Sequence, residues 1–189
     1  QLIFQYYSKN WGLKVTDLHQ GIVWGVETKE TIKDKRLVNR FDYDGVYGTV
    51  LNRFISQAVN NEKLTVYGTG GQTRAFIHIN DTAECLKLAV ENDKFDPSRP
   101  RIFNQVAEVA SVKDLADMIS QKTGIEIVFL ENPRKELAEN ELEVSNEGLV
   151  NLGFNPTLLN EGLIDDIMTV AEATRGRFNK SNVNTSPKW

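Results

Sequence analysis

Hydrophobic positions along the chain follow two spacings, one typical of helices and one typical of short strands. Helical spacing occurs in the segments 2–11, 49–60, 111–123 and 160–174, and again after Asp81. Short apolar runs predict strands at residues 13–18, 64–67, 75–79, 101–104 and 125–130. Because strands and helices alternate along the chain, the sequence predicts an α/β fold.

Residues at the ends of these segments predict where the helices begin and end. Gly12 and Gly124 are expected to end the helices that precede them, since glycine takes the left-handed backbone conformation of a C-terminal cap. Ser111 is expected to open the helix that Gly124 ends. Asp81, with Glu84 three residues later, has the spacing of a capping box and is predicted to cap the next helix.

The segment 49–60 is predicted to be an amphipathic helix. Its apolar residues recur at intervals of three and four, which leaves Asn52, Arg53 and Ser56 on or beside the opposite face. These polar side chains are therefore expected to be accessible to solvent or to a ligand.

Composition and charge exclude several classes of function. The 189 residues include 22 Lys and Arg and 26 Asp and Glu, for a net charge of -4, so a nonspecific nucleic-acid binder is not expected. One cysteine and two histidines offer little from which to build a structural metal site. Apolar runs are shorter than a membrane span of about 20 residues, and we expect a soluble protein of a reducing, cytoplasmic compartment.

The segment 67–74 contains a glycine turn followed by Arg74. Backbone amides of such a turn can hold phosphate oxygens, but the lysine of a Walker loop is missing, and a tight hairpin is the other interpretation. Arg74, opening the strand after the turn, could bind a phosphate or carboxylate. Arg134 follows the last predicted strand and could complete a clamp, although either arginine could instead be a surface residue or an ion-pair partner.

The remaining chemistry-bearing residues favour structural roles. His78 lies inside an apolar strand, where a hydrogen-bonded structural histidine is expected, and no metal site is predicted with His19. Cys85 lies on an apolar helix face and is expected to be a buried, unreactive thiol. The Tyr-x-x-x-Lys pair that lowers the pKa of a catalytic phenol is absent from the sequence.

Several short strings resemble the C-terminal half of extended short-chain dehydrogenase/reductases that act on nucleotide sugars. The family-wide strings are residues 64–68, 71–74 and 76–79 followed by Asp81. More specific strings, which resemble the UDP-sulfoquinovose synthase group, are residues 17–25, 40–49, 51–54, 103–105 and 132–134. The resemblance implies the last strands of an NAD(P)-binding Rossmann-like sheet plus a small substrate-binding α/β subdomain, together filling residues 1–189.

This resemblance also implies roles for individual residues. The UDP pyrophosphate would be held by Asn52, Arg74 and Arg134. The uracil would lie along the backbone of Thr65, Val66 and Tyr67, with Gln72 in the same substrate site. Arg40 and Tyr43 would belong to a substrate-side insert. Gln20, in a loop after the first strand, and Val23 would face the cofactor.

The reaction implied by the resemblance joins UDP-glucose and sulfite into UDP-sulfoquinovose with tightly bound NAD, in a homodimer located in the cytoplasm or, in a plant, the chloroplast stroma. The glycine-rich NAD motif and the catalytic Tyr, Lys and Thr would lie upstream of Gln1, and no catalytic residue is assigned within this chain. Trp24, Asn140 and Glu141 depart from the group pattern, which leaves a 4-epimerase, a 4,6-dehydratase or a non-catalytic UDP-sugar-binding domain as alternatives. The opening helix has no capping residue before it, which favours a C-terminal piece of a longer protein.

Overall fold

The computed structural model describes residues 1–37, 49–92, 94–96, 98–132, 139–160, 163–177, 179 and 181. Its helices are α1 (Leu2–Trp11), α2 (Val50–Val59), α3 (Ile79–Glu91), α4 (Val112–Thr123), α5 (Glu147–Val150) and α6 (Leu163–Ala173). Its strands are β1 (Thr16–Gln20), β2 (Ile22–Trp24), β3 (Leu64–Tyr67), β4 (Gly71–His78), β5 (Arg101–Gln105), β6 (Glu108–Ser111), β7 (Ile127–Leu130) and β8 (Glu139–Asn140). Short 3-10 turns cover Thr31–Lys33, Lys35–Leu37 and Arg175–Arg177. The predicted α/β class is confirmed.

Within the described residues, the strands form three small sheets. β1 pairs with β5 and β3 pairs with β7, in both cases in parallel. β4 is the centre of the third sheet, because it pairs with β2 and β8 in parallel and with β6 in antiparallel orientation. Parallel pairs require crossover connections, and helices α2 to α4 supply them.

The predicted hairpin between β3 and β4 is wrong. The two strands belong to different sheets. Gly68 and Gly70, with φ of 66° and 76°, turn the chain away, and the Lys113 amide donates a hydrogen bond of 2.9 Å to the Gly70 carbonyl. A side chain at Gly70 would meet Val66 Cγ1 at 2.8 Å, so glycine is required where the turn lies against β3 and the start of α4.

Helix α2 lies at the centre of the larger core cluster. Leu51, Phe54 and Ile55 are fully buried and pack with Trp24, Leu64, Phe76, Leu115, Ile119 and Ile164. The prediction of an exposed polar face is wrong for Arg53 and Ser56, which are each only 7% exposed. Helix α2 packs against α4, α6 and β3 and is covered almost all round. Buried polar groups on such a helix must find internal partners.

A smaller core cluster lies behind β4 and contains Ile77, Cys85, Leu149 and Phe154. Helix α3 packs here, and its predicted cap is corrected. His78 is the N-terminal cap and its Nδ1 accepts from the Asn80 amide at 3.2 Å. Asp81 lies inside the first turn instead.

The carboxylate of Asp81 anchors a distant loop. Its two oxygens accept from the Thr157 amide at 2.6 Å and from the Thr157 hydroxyl at 2.9 Å. The Leu159 amide donates to Glu108 Oε1 at 2.5 Å in the same loop. These carboxylates fix the residues that lead into α6.

Other predicted helix ends are confirmed. Ser111 and Asp114 form a capping box at the start of α4, and Gly124 ends that helix with φ of 72°. Gly12 ends α1 in the same left-handed conformation. Within the described part of the chain, no helix has the length and apolar character needed to cross a membrane.

Candidate functional site

Helix α2 and strand β3 are joined by two polar side chains of α2. Arg53 Nη2 donates to the Thr65 carbonyl at 2.8 Å. The Gln57 amide accepts from the Thr65 backbone N–H at 3.2 Å and donates to the Thr65 hydroxyl at 2.8 Å. The Arg53 guanidinium carbon also lies 4.8 Å from the centre of the Tyr67 ring and 5.2 Å from that of Phe54. Because both side chains are buried, this arrangement fixes β3 in one position on α2.

The two edges of β3 have different partners. The Leu64 amide donates to Glu126 at 2.9 Å and the Gly68 amide to Leu130 at 2.8 Å, so alternate residues from 64 to 68 face β7. The backbone N–H and C=O groups of successive residues in a strand point to alternate edges. Those of Thr65 and Tyr67 therefore face the edge opposite β7. At that edge, the Thr65 carbonyl and the Tyr67 N–H form a neighbouring acceptor and donor.

The turn after β3 is lined by amide side chains. A side chain at Gly68 would lie 3.5 Å from Asn132 Cβ and 3.5 Å from Gln72 Nε2. Gln72 is 4% exposed, and Gln72 pairs in register with Asn140 of β8. Asn140 also accepts from the Thr73 amide at 3.1 Å and the Thr73 hydroxyl at 2.7 Å. Asn132 and Asn140 therefore both lie beside this turn, while the predicted Arg134 lies outside the described residues.

Arg74 lies inside β4, and the prediction that it opens the strand is wrong because β4 begins at Gly71. It pairs in register with Ala110 and is half-buried. Arg74 Nη1 donates to the Thr73 carbonyl at 2.9 Å. The guanidinium is thus directed back along the strand toward the glycine turn.

The amide oxygen of Asn52 is buried near the start of α2. It accepts no hydrogen bond from the residues that the structure describes. The Asn52 backbone N–H is capped by the Thr49 hydroxyl at 3.4 Å. A buried amide oxygen without a donor costs free energy until one arrives, which is typical of a ligand-binding position. Arg40 and Tyr43, predicted to belong to a substrate-side insert, fall outside the described residues.

The two predicted cofactor-side residues fit that role differently. Gln20 is the last residue of β1, not a loop residue as predicted, and it pairs in register with Gln105. Its side chain is exposed at the carboxyl ends of two parallel strands, where open α/β sheets bind ligands. Val23 packs against the smaller core cluster, so it could reach a cofactor only through its backbone. Of these two residues, Gln20 alone has an exposed side chain, and the sequence contains no glycine-rich fingerprint.

His78, expected to be a structural histidine, is one. Its ring is 4% exposed and meets the Trp24 indole edge to face at 4.5 Å between centroids. Burial lowers the pKa of His78 below its usual value, while the charges of Asp81 and Asp166 oppose that shift. Since Nδ1 caps α3, the neutral ring is the form that the fold uses.

Cys85, expected to be buried and unreactive, is fully buried. Burial raises the pKa of its thiol to about 12, with the charge of Asp81 adding to the effect. No group of three metal-ligating side chains was found among the residues that the structure describes.

The sequence interpretation missed Arg53 and Gln57 as members of this site. They are one helical turn apart, so they face the same neighbour. An arginine and a glutamine one turn apart on an amphipathic helix, shortly before a strand, were the available signal.

Comparisons with known proteins found similar sequences over most of this chain. The model of the "NAD dependent epimerase/dehydratase family" matches residues 35–104. UDP-sulfoquinovose synthase from spinach chloroplasts is 41% identical over 96% of this chain and 38% of its own length. The UDP-sulfoquinovose synthase of Sulfolobus acidocaldarius is 41% identical over 80% of this chain and 39% of its own length. The family model thus matches part of this chain, and the similarity to the two synthases extends over most of it.

Solved structures of UDP-sugar 4-epimerases share the fold. The UDP-glucuronic acid 4-epimerase of Bacillus cereus, solved with UDP-glucuronic acid and NAD, superimposes with a TM-score of 0.64 over 93% of this chain and 49% of its own. Its sequence identity is 21%, so it supports the fold alone. The chain spans about two fifths of the length of the epimerase/dehydratase relatives from spinach and Sulfolobus. The predicted resemblance and the Rossmann-like fold are confirmed.

Proposed function

We propose that the protein carrying this chain is a UDP-sulfoquinovose synthase, which converts UDP-glucose and sulfite to UDP-sulfoquinovose. The supporting observation is 41% identity to two such synthases across most of this chain. We further propose that residues 1–189 form the C-terminal substrate-binding portion of the enzyme. In this proposal the catalytic Tyr, Lys and Thr are supplied by sequence outside this chain.

The uracil would lie along the edge of β3 that faces away from β7. Uracil carries an N3–H donor beside the O4 acceptor, which match the Thr65 carbonyl and the Tyr67 N–H. Val66 is fully buried beneath them and holds the strand in the core. Gln72, whose amide nitrogen lies 3.5 Å from the position of a Gly68 Cβ, would close the site at the glycine turn.

The pyrophosphate would be held by Arg74, Asn52 and Arg134. A guanidinium donates to phosphate oxygens in pairs, and the direction of the Arg74 side chain toward the glycine turn suits a diphosphate leaving the end of β3. The Asn52 oxygen, which accepts nothing from the described residues, could accept from a ligand hydroxyl while the Asn52 NH₂ donates to phosphate. Arg40 and Tyr43 are proposed for the sugar.

NAD is the proposed cofactor, and when bound it supplies reversible hydride transfer. The residue of this chain proposed to contact it through a side chain is Gln20, and Val23 would contribute backbone. Gln20 ends β1 and Val23 lies in β2, and these two consecutive strands are separated in the sequence by Gly21 alone. Their task would be to orient the cofactor and the sugar.

The decisive experiment incubates the full-length protein with UDP-glucose, with and without sulfite, and measures product masses. A sulfonated nucleotide sugar formed only with sulfite supports the proposal. A sulfite-independent product would assign a 4-epimerase or 4,6-dehydratase, and UDP-sugar binding without turnover would assign a binding protein.

We also propose a homodimer in a reducing compartment. The spinach relative is named as chloroplastic, which suits a stromal location for plant members and the cytoplasm for others. Helix α1 exposes the apolar side chains of Leu2, Ile3, Tyr6 and Trp11, which suits burial against other protein. Light scattering of the full-length protein tests the dimer, and a monomer would reject it.

A further inference from the structure

Arg53 is a charged residue that the proposed function does not use. It is 7% exposed, and burying an arginine costs free energy unless its donors are satisfied. The partner of its Nη2 is a backbone carbonyl, that of Thr65, at 2.8 Å. A protein that needed only a packed helix here would do as well with an apolar side chain.

The Thr65 carbonyl that Arg53 binds lies at the edge of β3 proposed to bind the base. The Thr65 carbonyl points to the edge of β3 that faces away from β7, next to the Tyr67 N–H. A carbonyl oxygen accepts two hydrogen bonds, so the bond from Arg53 leaves one lone pair for a ligand. The guanidinium also lies 4.8 Å from the Tyr67 ring centre, so one side chain restrains both residues of the pair.

We propose that Arg53 is the positioning residue that lets the β3 edge select uracil over cytosine. This inference rests on the proposed UDP-sugar function and adds a residue that determines base specificity. Uracil offers an N3–H donor to the Thr65 carbonyl, whereas the N3 of cytosine is an acceptor and would face the carbonyl without a hydrogen. Rejection of cytosine requires that this carbonyl cannot move aside, and Arg53 with Gln57 holds it.

The test measures the ratio of dissociation constants for CMP and UMP in the full-length protein by calorimetry. The wild type is expected to prefer UMP. Arg53→Ala should reduce that preference by about tenfold, the equivalent of one hydrogen bond to a charged group. Arg53→Lys keeps the charge but loses the planar fork, and it should reduce the preference to an intermediate value.

Two matched variants separate base selection from general damage. Arg74→Ala should weaken UMP and CMP to the same degree, because both share the phosphate. Lys63→Ala removes an exposed side chain that pairs with Glu126 at the start of β3, and it should leave both affinities unchanged. In steady-state assays, Arg53→Lys should raise KM for UDP-glucose with little change in kcat, as expected for uniform binding.

The outcomes distinguish the inference from the function it rests on. Equal weakening of UMP and CMP in the Arg53 variants would show a purely structural residue and overturn the inference. A wild type that binds UMP and CMP equally would overturn it too, while UDP-sugar binding stands. A wild type that binds neither nucleotide would overturn both. If Arg53→Ala does not fold, an unchanged ratio in Arg53→Lys is sufficient to overturn the inference.

Discussion

The most quantitative stability prediction concerns the carboxylate of Asp81. It is 6% exposed and accepts two short hydrogen bonds from Thr157, at 2.6 and 2.9 Å. Asp81→Ala removes the acceptor of both donors. A hydrogen bond to a charged group is worth about 1.5–3 kcal/mol, so losing both should cost about 3 kcal/mol or more of unfolding free energy.

Urea unfolding of the full-length protein, followed by tryptophan fluorescence, measures this cost as a lower midpoint at an unchanged slope. Thr157→Val removes only the hydroxyl donor and should cost about 1 kcal/mol. Because both changes remove the hydroxyl bond, the double variant should be less destabilised than the sum of the two, by about 1 kcal/mol. A cost of less than about 0.5 kcal/mol for Asp81→Ala, or full additivity with Thr157→Val, would refute the anchoring role.

Further predictions concern the smaller core cluster and the residues around it. Since burial lowers the pKa of His78, its neutral form stabilises the fold fully above about pH 6.5, and stability should fall as the pH drops below that value. His78→Asn keeps a capping acceptor and should show a weaker pH dependence of the urea midpoint, and an identical dependence would contradict the reasoning. Gly25→Ala, with φ of 92° and a Cβ that would lie only 2.4 Å from His78 Nε2, should cost about 2–4 kcal/mol. The control Gly124→Ala, which meets nothing within 4 Å, should cost about 1–2 kcal/mol in thermal unfolding. With its pKa raised to about 12, the Cys85 thiol should resist alkylation at pH 8 until the protein unfolds, and rapid labelling of the native protein would contradict its burial.

Local features of the fold were predictable from the sequence. The start of α4 at Ser111 and the glycine ends of α1 and α4 depend on residues within one turn, and each was predicted correctly. The pairing of strands depends on contacts distant in sequence, which is why the glycine turn after β3 was misread as a hairpin. A turn motif specifies a change in direction but does not specify which strand becomes the neighbour.

Polar residues were the harder part of the prediction. Arg53 was placed on or beside the polar face because the apolar residues of its helix recur at helical spacing, yet its partner is the carbonyl of Thr65, twelve residues later in the chain. No side-chain pattern marks a backbone acceptor. Asp81 was misassigned for a related reason, since a carboxylate near a helix start resembles a cap and its real partner, Thr157, is 76 residues away.

The central claim is that α2, β3 and β4 of this chain bind the UDP part of a nucleotide sugar, and the most direct measurement is calorimetric titration of the full-length protein with UDP. The wild type is expected to bind, and Arg74→Ala should weaken binding by about 10- to 150-fold, the equivalent of about 1.5–3 kcal/mol for a charged hydrogen bond. Lys87→Ala, at an exposed site on α3, serves as the control and should leave the affinity unchanged. Unchanged UDP affinity in Arg74→Ala, or no binding by the wild type, would contradict the account.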